Sequence, residues 1–138
     1  MTQIISYLTF NGNCREAMTF YNECFGGKLN FQTLGESPLS DKMPKKMKKY
    51  ILHSTLTKDT LILMGSDMVG EKGLVKGNSV SLSLHCTNEE EVQTCYSKLS
   101  NGGSQNHPLE KTIWGALFGV LTDKFGNHWI LNYQNYSN

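Results

Sequence analysis

Four histidines, His53, His85, His107 and His128, are the side chains of this 138-residue chain that ordinarily titrate near neutrality. They are scattered along the sequence, without the short spacing that would make a metal triad. Cys14, Cys24, Cys86 and Cys95 form no C-x-x-C pair and read as small buried hydrophobes rather than zinc ligands or a catalytic thiol. Glu36, Asp67, Glu71 and Glu110 are available acids, but nothing in the sequence pairs one with His53. No Ser-His-Asp set, carboxylate pair or nucleotide loop can be drawn, so neither cofactor nor metal is expected. His53, inside Tyr50–Thr55, remains the candidate general base, with a hydrogen-bonded structural role as its competing reading. His85 and His128 read as local or solvated.

Trp114, Phe118 and Trp129 are large, rigid and close in sequence. Such rings are core residues or stack on a ligand. Trp114, followed by Gly115 in a turn, is the better ligand candidate of the two tryptophans. Gly115, Gly119 and Gly126 read as bulge or turn glycines. The stretch 40–49 holds five lysines with Met43 and Met47. It is either a solvated loop or short helix, or a mobile flap whose Met43 and Met47 close over an apolar ligand.

Composition narrows the function classes. Apolar residues make up 38% and charged residues 18%, which excludes a disordered or collagen-like chain. Thirteen Lys and Arg against twelve Asp and Glu give +1, and Arg15 is the only arginine, so nucleic acid is not an expected partner. Apolar runs such as Leu61–Met64 are far shorter than the roughly 20 residues of a membrane span, and the start lacks a basic, apolar leader. No membrane partner and a cytoplasmic location are expected.

The elements that position these side chains come as a repeat. Asn13, Glu16, Thr19, Tyr21 and Gly27 recur 75 positions later as Asn88, Glu91, Thr94, Tyr96 and Gly102. Each copy predicts a helix opened by an Asn cap with Glu three residues on and closed by Gly-Gly. One apolar stripe runs through Cys14, Ala17, Met18, Tyr21, Cys24 and Phe25, the other through Val92, Cys95, Tyr96 and Leu99. Strands are predicted before the helices at Ile4–Phe10 and Ser79–His85. They follow them at Lys28–Thr33, Tyr50–Thr57 and Thr60–Ser66, then at Gln105–Lys111, Ala116–Thr122 and His128–Tyr133. In Ser79–His85, Val80, Leu82 and Leu84 should share one sheet face and the serines the other. A single domain of two βαβββ modules follows, at about 1–68 and 78–138, with a linker at about 67–77. One helix covers one face of each sheet, and the other face is free to line an open, barrel-like trough.

Two modules of this kind resemble the vicinal oxygen chelate (glyoxalase/bleomycin resistance/dioxygenase) superfamily. The stretches Tyr7–Tyr21, Phe25–Gly27 and Trp114–Asn132 are similar to its PhnB-like branch. The resemblance implies an α+β open trough and a homodimer. In metal-dependent members, His, Glu or Gln ligands come from the first and last strands of each module. Those positions fall here on Ile5, Ser6 or Tyr7, on Leu63 or Met64, near Ser79, and on Ile130, none a carboxylate or imidazole. The chain is therefore expected to bind an unidentified small molecule through Tyr7, Met43, Met47, His53, Met64, Ser79, Trp114 and Phe118, without a metal. An isomerase or lyase using His53 as base is the alternative. The methyltransferase activity attached to some similar proteins is not expected, since no glycine-rich S-adenosylmethionine loop follows the first strand.

Overall fold

A computed structural model describes residues 1–38 and 40–134. The chain divides into two compact units, Met1–Val75 and Lys76–Asn138. In the first, β1 (Ser6–Thr9) leads to α1 (Cys14–Phe25) and β2 (Lys28–Thr33). Three short 3-10 turns, Leu34–Glu36, Ser40–Lys42 and Lys45–Lys49, then precede β3 (Ile51–Lys58) and β4 (Leu61–Ser66). The second unit repeats the plan with β5 (Leu82–His85), α2 (Glu89–Ser100), β6 (Ser104–Lys111), β7 (Leu117–Thr122) and β8 (His128–Tyr133). The sheets run β1-β4-β3-β2 and β5-β8-β7-β6, with β1 parallel to β4, β5 parallel to β8 and all other pairs antiparallel. These are two βαβββ modules, as the repeat predicts.

Each helix turns its apolar stripe onto one sheet face. Cys14, Ala17, Met18, Phe20, Tyr21, Cys24 and Phe25 are buried in α1, and Val92, Cys95, Tyr96 and Leu99 in α2. Strand residues of alternate parity complete the cores: Leu56 and Leu63 in the first unit, Leu117, Leu121, Trp129 and Leu131 in the second. Removing the side chain of a residue as buried as Met18 or Leu131 costs about 2–5 kcal/mol.

The helix starts differ from the expected matched pair. At α2 the Asn88 side chain accepts from the Glu91 N–H at 2.8 Å, and Glu91 accepts from the Thr87 N–H at 2.9 Å. Asn13 makes no such bond. Its place is taken by Asp67, whose Oδ1 accepts from the N–H groups of Gly12 at 2.9 Å and Cys14 at 3.0 Å. Oδ2 of the same carboxylate accepts from Ile51 N–H at 2.8 Å. A carboxylate is favoured beside a helix N-terminus because the dipole there attracts negative charge.

Both helices end on Gly-Gly for two separate reasons. Gly26 and Gly102 take left-handed φ values of 71° and 81°. Gly27 and Gly103 press against strand backbone, where an added Cβ would stand 2.5 Å from the Thr57 carbonyl oxygen and 2.1 Å from that of Thr122. Gly119, expected in a bulge or turn, lies in β7 opposite the register shift between His107 and Glu110 of β6, and a Cβ there would be 2.8 Å from the Tyr96 ring. Two predicted strands are shortened at their starts, to Ser6 and Leu82. Val80 is 73% exposed and Ser79 lies in an exposed bend outside β5, so alternation alone did not extend the strand. β5 pairs only with β8, whose own first residue is His128, and the ladder starts where Leu82 meets Trp129.

Gly103→Ala should lower stability by about 1–3 kcal/mol through overpacking against backbone. Gly70→Ala, with nothing near its Cβ position, should stay within about 0.5 kcal/mol. Urea midpoints of the two variants check the contrast.

Candidate functional site

With α1 on one face of the first sheet, the other face presents the opposite parity of each strand. Register sets Tyr7 beside Met64, Met64 beside Thr55 and Thr55 beside Asn30, with His53 beside Gln32 in the next row. Three of these side chains are linked. The Tyr7 hydroxyl lies 3.1 Å from His53 Nδ1, and the Thr55 hydroxyl lies 3.1 Å from His53 Nε2. The Tyr7 and His53 rings are 5.7 Å apart, tilted by 30°. His53, Thr55 and Met64 are half-buried, while Tyr7 is 49% exposed.

This arrangement has a chemical consequence. A neutral imidazole offers one donor and one acceptor, and both nitrogens of His53 are engaged. If Tyr7 donates to Nδ1, the Nε2–H donates to Thr55; in the other tautomer both directions reverse. Either way, the end of the chain open to an incoming molecule is the Tyr7 phenol, and His53 stands behind it.

Tyr7, His53 and Met64 are thus brought together on one sheet face. Thr55 was missed by the sequence reading, although its position two residues from His53 on a strand places it on the same side.

The remaining candidates lie elsewhere. Met43 sits between two of the 3-10 turns, half-buried, and Met47 lies in the third turn, exposed. Phe118 is half-buried on the open face of the second sheet, its ring 5.7 Å from that of His107. Trp114 stands 80% exposed at the β6–β7 turn, where the Thr112 hydroxyl accepts from the N–H groups of Trp114 at 3.3 Å and Ala116 at 3.2 Å. Trp129 is core, donating through Nε1 to Asp123 at 2.8 Å. Asp123 also accepts from Phe125 and Asn127 N–H at 2.9 and 3.0 Å, the self-bonded turn expected of it. His85 is bonded to Ser83 at 3.0 Å, and His128, expected to be solvated, is half-buried and bonded to Thr122 at 3.1 Å.

The metal positions implied by the family resemblance can be read from register. β1 meets β4 at Tyr7 and Met64, and β5 meets β8 at Ser83 and Ile130, so Ser83 takes the strand place expected near Ser79. A phenol, a thioether, an alcohol and an alkyl group do not make the N/O donor set of a catalytic divalent ion. Among the described residues no group of three His, Cys, Asp or Glu side chains could hold one.

The cysteines are all reduced and buried. Burial pushes the Cys14 thiol up to about 11, against a smaller lowering by its bond to Ser54. The Cys86 thiol is driven up further, first by its hydrogen bond with Cys95 and then by burial. Such thiols are poor nucleophiles at neutral pH.

This fold, two βαβββ modules each with a helix-free sheet face, is that of the glyoxalase/bleomycin resistance/dioxygenase superfamily. A member of that superfamily from Sphaerobacter thermophilus shares it at a TM-score of 0.59 and 19% identity, over 97% of this chain and 99% of that one. The family described as 3-demethylubiquinone-9 3-methyltransferase matches residues 2–132, and the chain belongs to this PhnB-like family. Protein PA1353 from Pseudomonas aeruginosa is 37% identical, at a TM-score of 0.83, over 97% of this chain and 98% of that one. The PhnB protein from Bacillus cereus is 28% identical, at a TM-score of 0.75, over 96% and 100%.

In the unfolded chain Cys14 ionises near its ordinary 9.0, whereas in the fold it stays neutral to about 11. Its contribution to stability is therefore complete below pH 9.0 and is lost as pH rises to about 11. Cys14→Ala should flatten the alkaline limb of a stability–pH curve across that window. Native protein near pH 8 should show none of the four thiols to a disulfide reagent until it is unfolded.

Proposed function

We propose that this PhnB-like protein binds a small, partly aromatic or apolar molecule on the open face of its first sheet, without a metal. The observation that supports this reading is the Tyr7–His53–Thr55 chain, which aims a half-exposed, oriented phenol over a sheet face that also carries Met64. An oriented hydroxyl beside apolar surface is how small-molecule sites combine affinity with discrimination. Met43 and Met47 are proposed as further contacts of that molecule; in the second unit, taken by itself, Trp114 and Phe118 are proposed as ligand contacts, and Ser79, outside any strand, is replaced there by Ser83.

A second reading is favoured by the same bonds. In an isomerase or lyase, His53 would act as base through the Tyr7 hydroxyl, because neither ring nitrogen is free to meet a substrate directly. Methyl transfer is no part of either reading. The N–H groups of Gly12 and Cys14 at the first strand–helix junction are held by Asp67, and are not available to a cofactor. We also propose a homodimer, supported by Ile113 and Trp114, 90% and 80% exposed on a hydrogen-bonded turn, and a cytoplasmic location.

Thermal-shift screening against small aromatic antibiotics, quinones and phosphonates should find a ligand. At 100 times its dissociation constant, that ligand stabilises by about 2.7 kcal/mol. Tyr7→Phe should weaken it about three- to tenfold, the value of one hydrogen bond near 1 kcal/mol. Unchanged affinity would place the ligand elsewhere. Turnover lost in His53→Gln with binding retained selects the enzyme; no turnover in the parent selects the binder. Stoichiometric, tight uptake of a divalent ion by protein purified without chelator would overturn the metal-free reading. Light scattering should give twice 15.5 kDa, and a monomer would end the dimer proposal.

A further inference from the structure

The sequence holds two Asn-Gly pairs, Asn11-Gly12 and Asn101-Gly102, and the fold treats them oppositely. All four residues are exposed. Asparagine is thermally labile, above all before glycine, where the missing Cβ lets the next backbone nitrogen swing onto the side-chain carbonyl carbon. At the first pair that nitrogen is held. Gly12 N–H donates to Asp67 Oδ1 at 2.9 Å, and the carboxylate opposes by like charge the loss of the proton that makes the nitrogen a nucleophile. At the second pair nothing holds it. Asn101 (φ −63°, ψ 120°) and Gly102 (φ 81°) form the turn after α2, closed by Gly103 N–H donating to the Ser100 carbonyl at 2.9 Å. That bond spans the 101–102 peptide, whose own N–H has no hydrogen-bond partner among the described residues.

We propose that Asn101 is a site of spontaneous covalent modification, and that Asp67 protects Asn11 from the same reaction. The Gly102 nitrogen gives its proton to solvent and bonds to Asn101 Cγ. The Cγ–Nδ2 bond breaks, and Nδ2 takes a proton from water and leaves as ammonia. Water then opens the ring imide at one carbonyl or the other, leaving aspartate or isoaspartate. One water is consumed and one ammonia released, with nothing oxidised or reduced. Both products disturb the turn. A new carboxylate stands at the negative, C-terminal end of the α2 dipole. Isoaspartate also lengthens the main chain by one carbon just ahead of Gly103, which is packed so closely that a Cβ would collide with the Thr122 carbonyl. The site stands independently of the first-sheet reading, since neither Asn101 nor Gly102 belongs to the Tyr7–His53–Thr55 chain.

Peptide mass spectrometry on full-length protein aged at mildly alkaline pH tests this. The peptide carrying Asn101 should exchange amide for acid about tenfold faster than the one carrying Asn11, the factor set by breaking a hydrogen bond to a charged acceptor. In urea-unfolded protein the two rates should converge. Equal rates in the folded protein, or a difference that persists on unfolding, overturns the proposal. Asp67→Asn should raise the Asn11 rate toward that of Asn101, and an unchanged rate would end the protective role of the carboxylate. Should that variant not fold, the folded and unfolded rates of the parent decide. Ageing should also lower the urea midpoint of the parent and spare that of Asn101→Gln, because glutamine would have to close a six-membered ring. An equal loss in both proteins would place the damage elsewhere and overturn the assignment.

Discussion

The carboxylate of Asp67 ties together the first unit. Its two oxygens accept three backbone N–H groups, from Gly12 and Cys14 where β1 turns into α1 and from Ile51 where β3 begins. Asp67 itself follows the last residue of β4, and its own N–H donates to the Ile51 carbonyl at 2.8 Å. One buried anion thus fixes the meeting point of the helix start and the ends of β1, β3 and β4. The position of His53, two residues beyond Ile51, is set by the same tie, and so is its reach across β4 to Tyr7.

From that anchor follows the division of labour in each sheet. The helix takes one parity of strand residues into a dry core, and the other parity is left to water or to a ligand. The first sheet uses this freedom to present an oriented phenol. The second carries Ser83, Phe118 and Ile130 at the register places that Tyr7, His53 and Met64 occupy in the first. The two copies share a backbone plan and have exchanged the chemistry on their open faces. An imidazole in one is a benzene ring in the other, and a phenol has become an alcohol.

Much of the fold was legible in the sequence because its signals are local. Period-3.6 stripes, period-2 runs and Gly-Gly stops each depend on residues a few positions apart, and among the described residues the eight strands and two α-helices fall within or beside those signals. The errors have a common origin in partners distant along the chain. Asn13 has the composition of a cap yet makes no cap bond, and the carboxylate at the start of α1 is that of Asp67, more than fifty residues away. Ser79 and Val80 continue an alternating run, but the partner strand does not extend to meet them. Gly119 sits opposite the β6 bulge as expected, but the Tyr96 ring that would meet a Cβ there is invisible until α2 is folded onto β7.

The sequence by itself determined the repeat, the module type and the absence of carboxylates and imidazoles at the strand positions where related proteins hold a metal. Those properties are fixed by residue identity and short spacing. Only the tertiary structure decided which side chains meet: that His53 is engaged at both nitrogens and that Tyr7 is the exposed end of that hydrogen-bonded chain. Hydrogen bonds across strands depend on register to within one residue, and register is set by the whole sheet rather than by any segment of it.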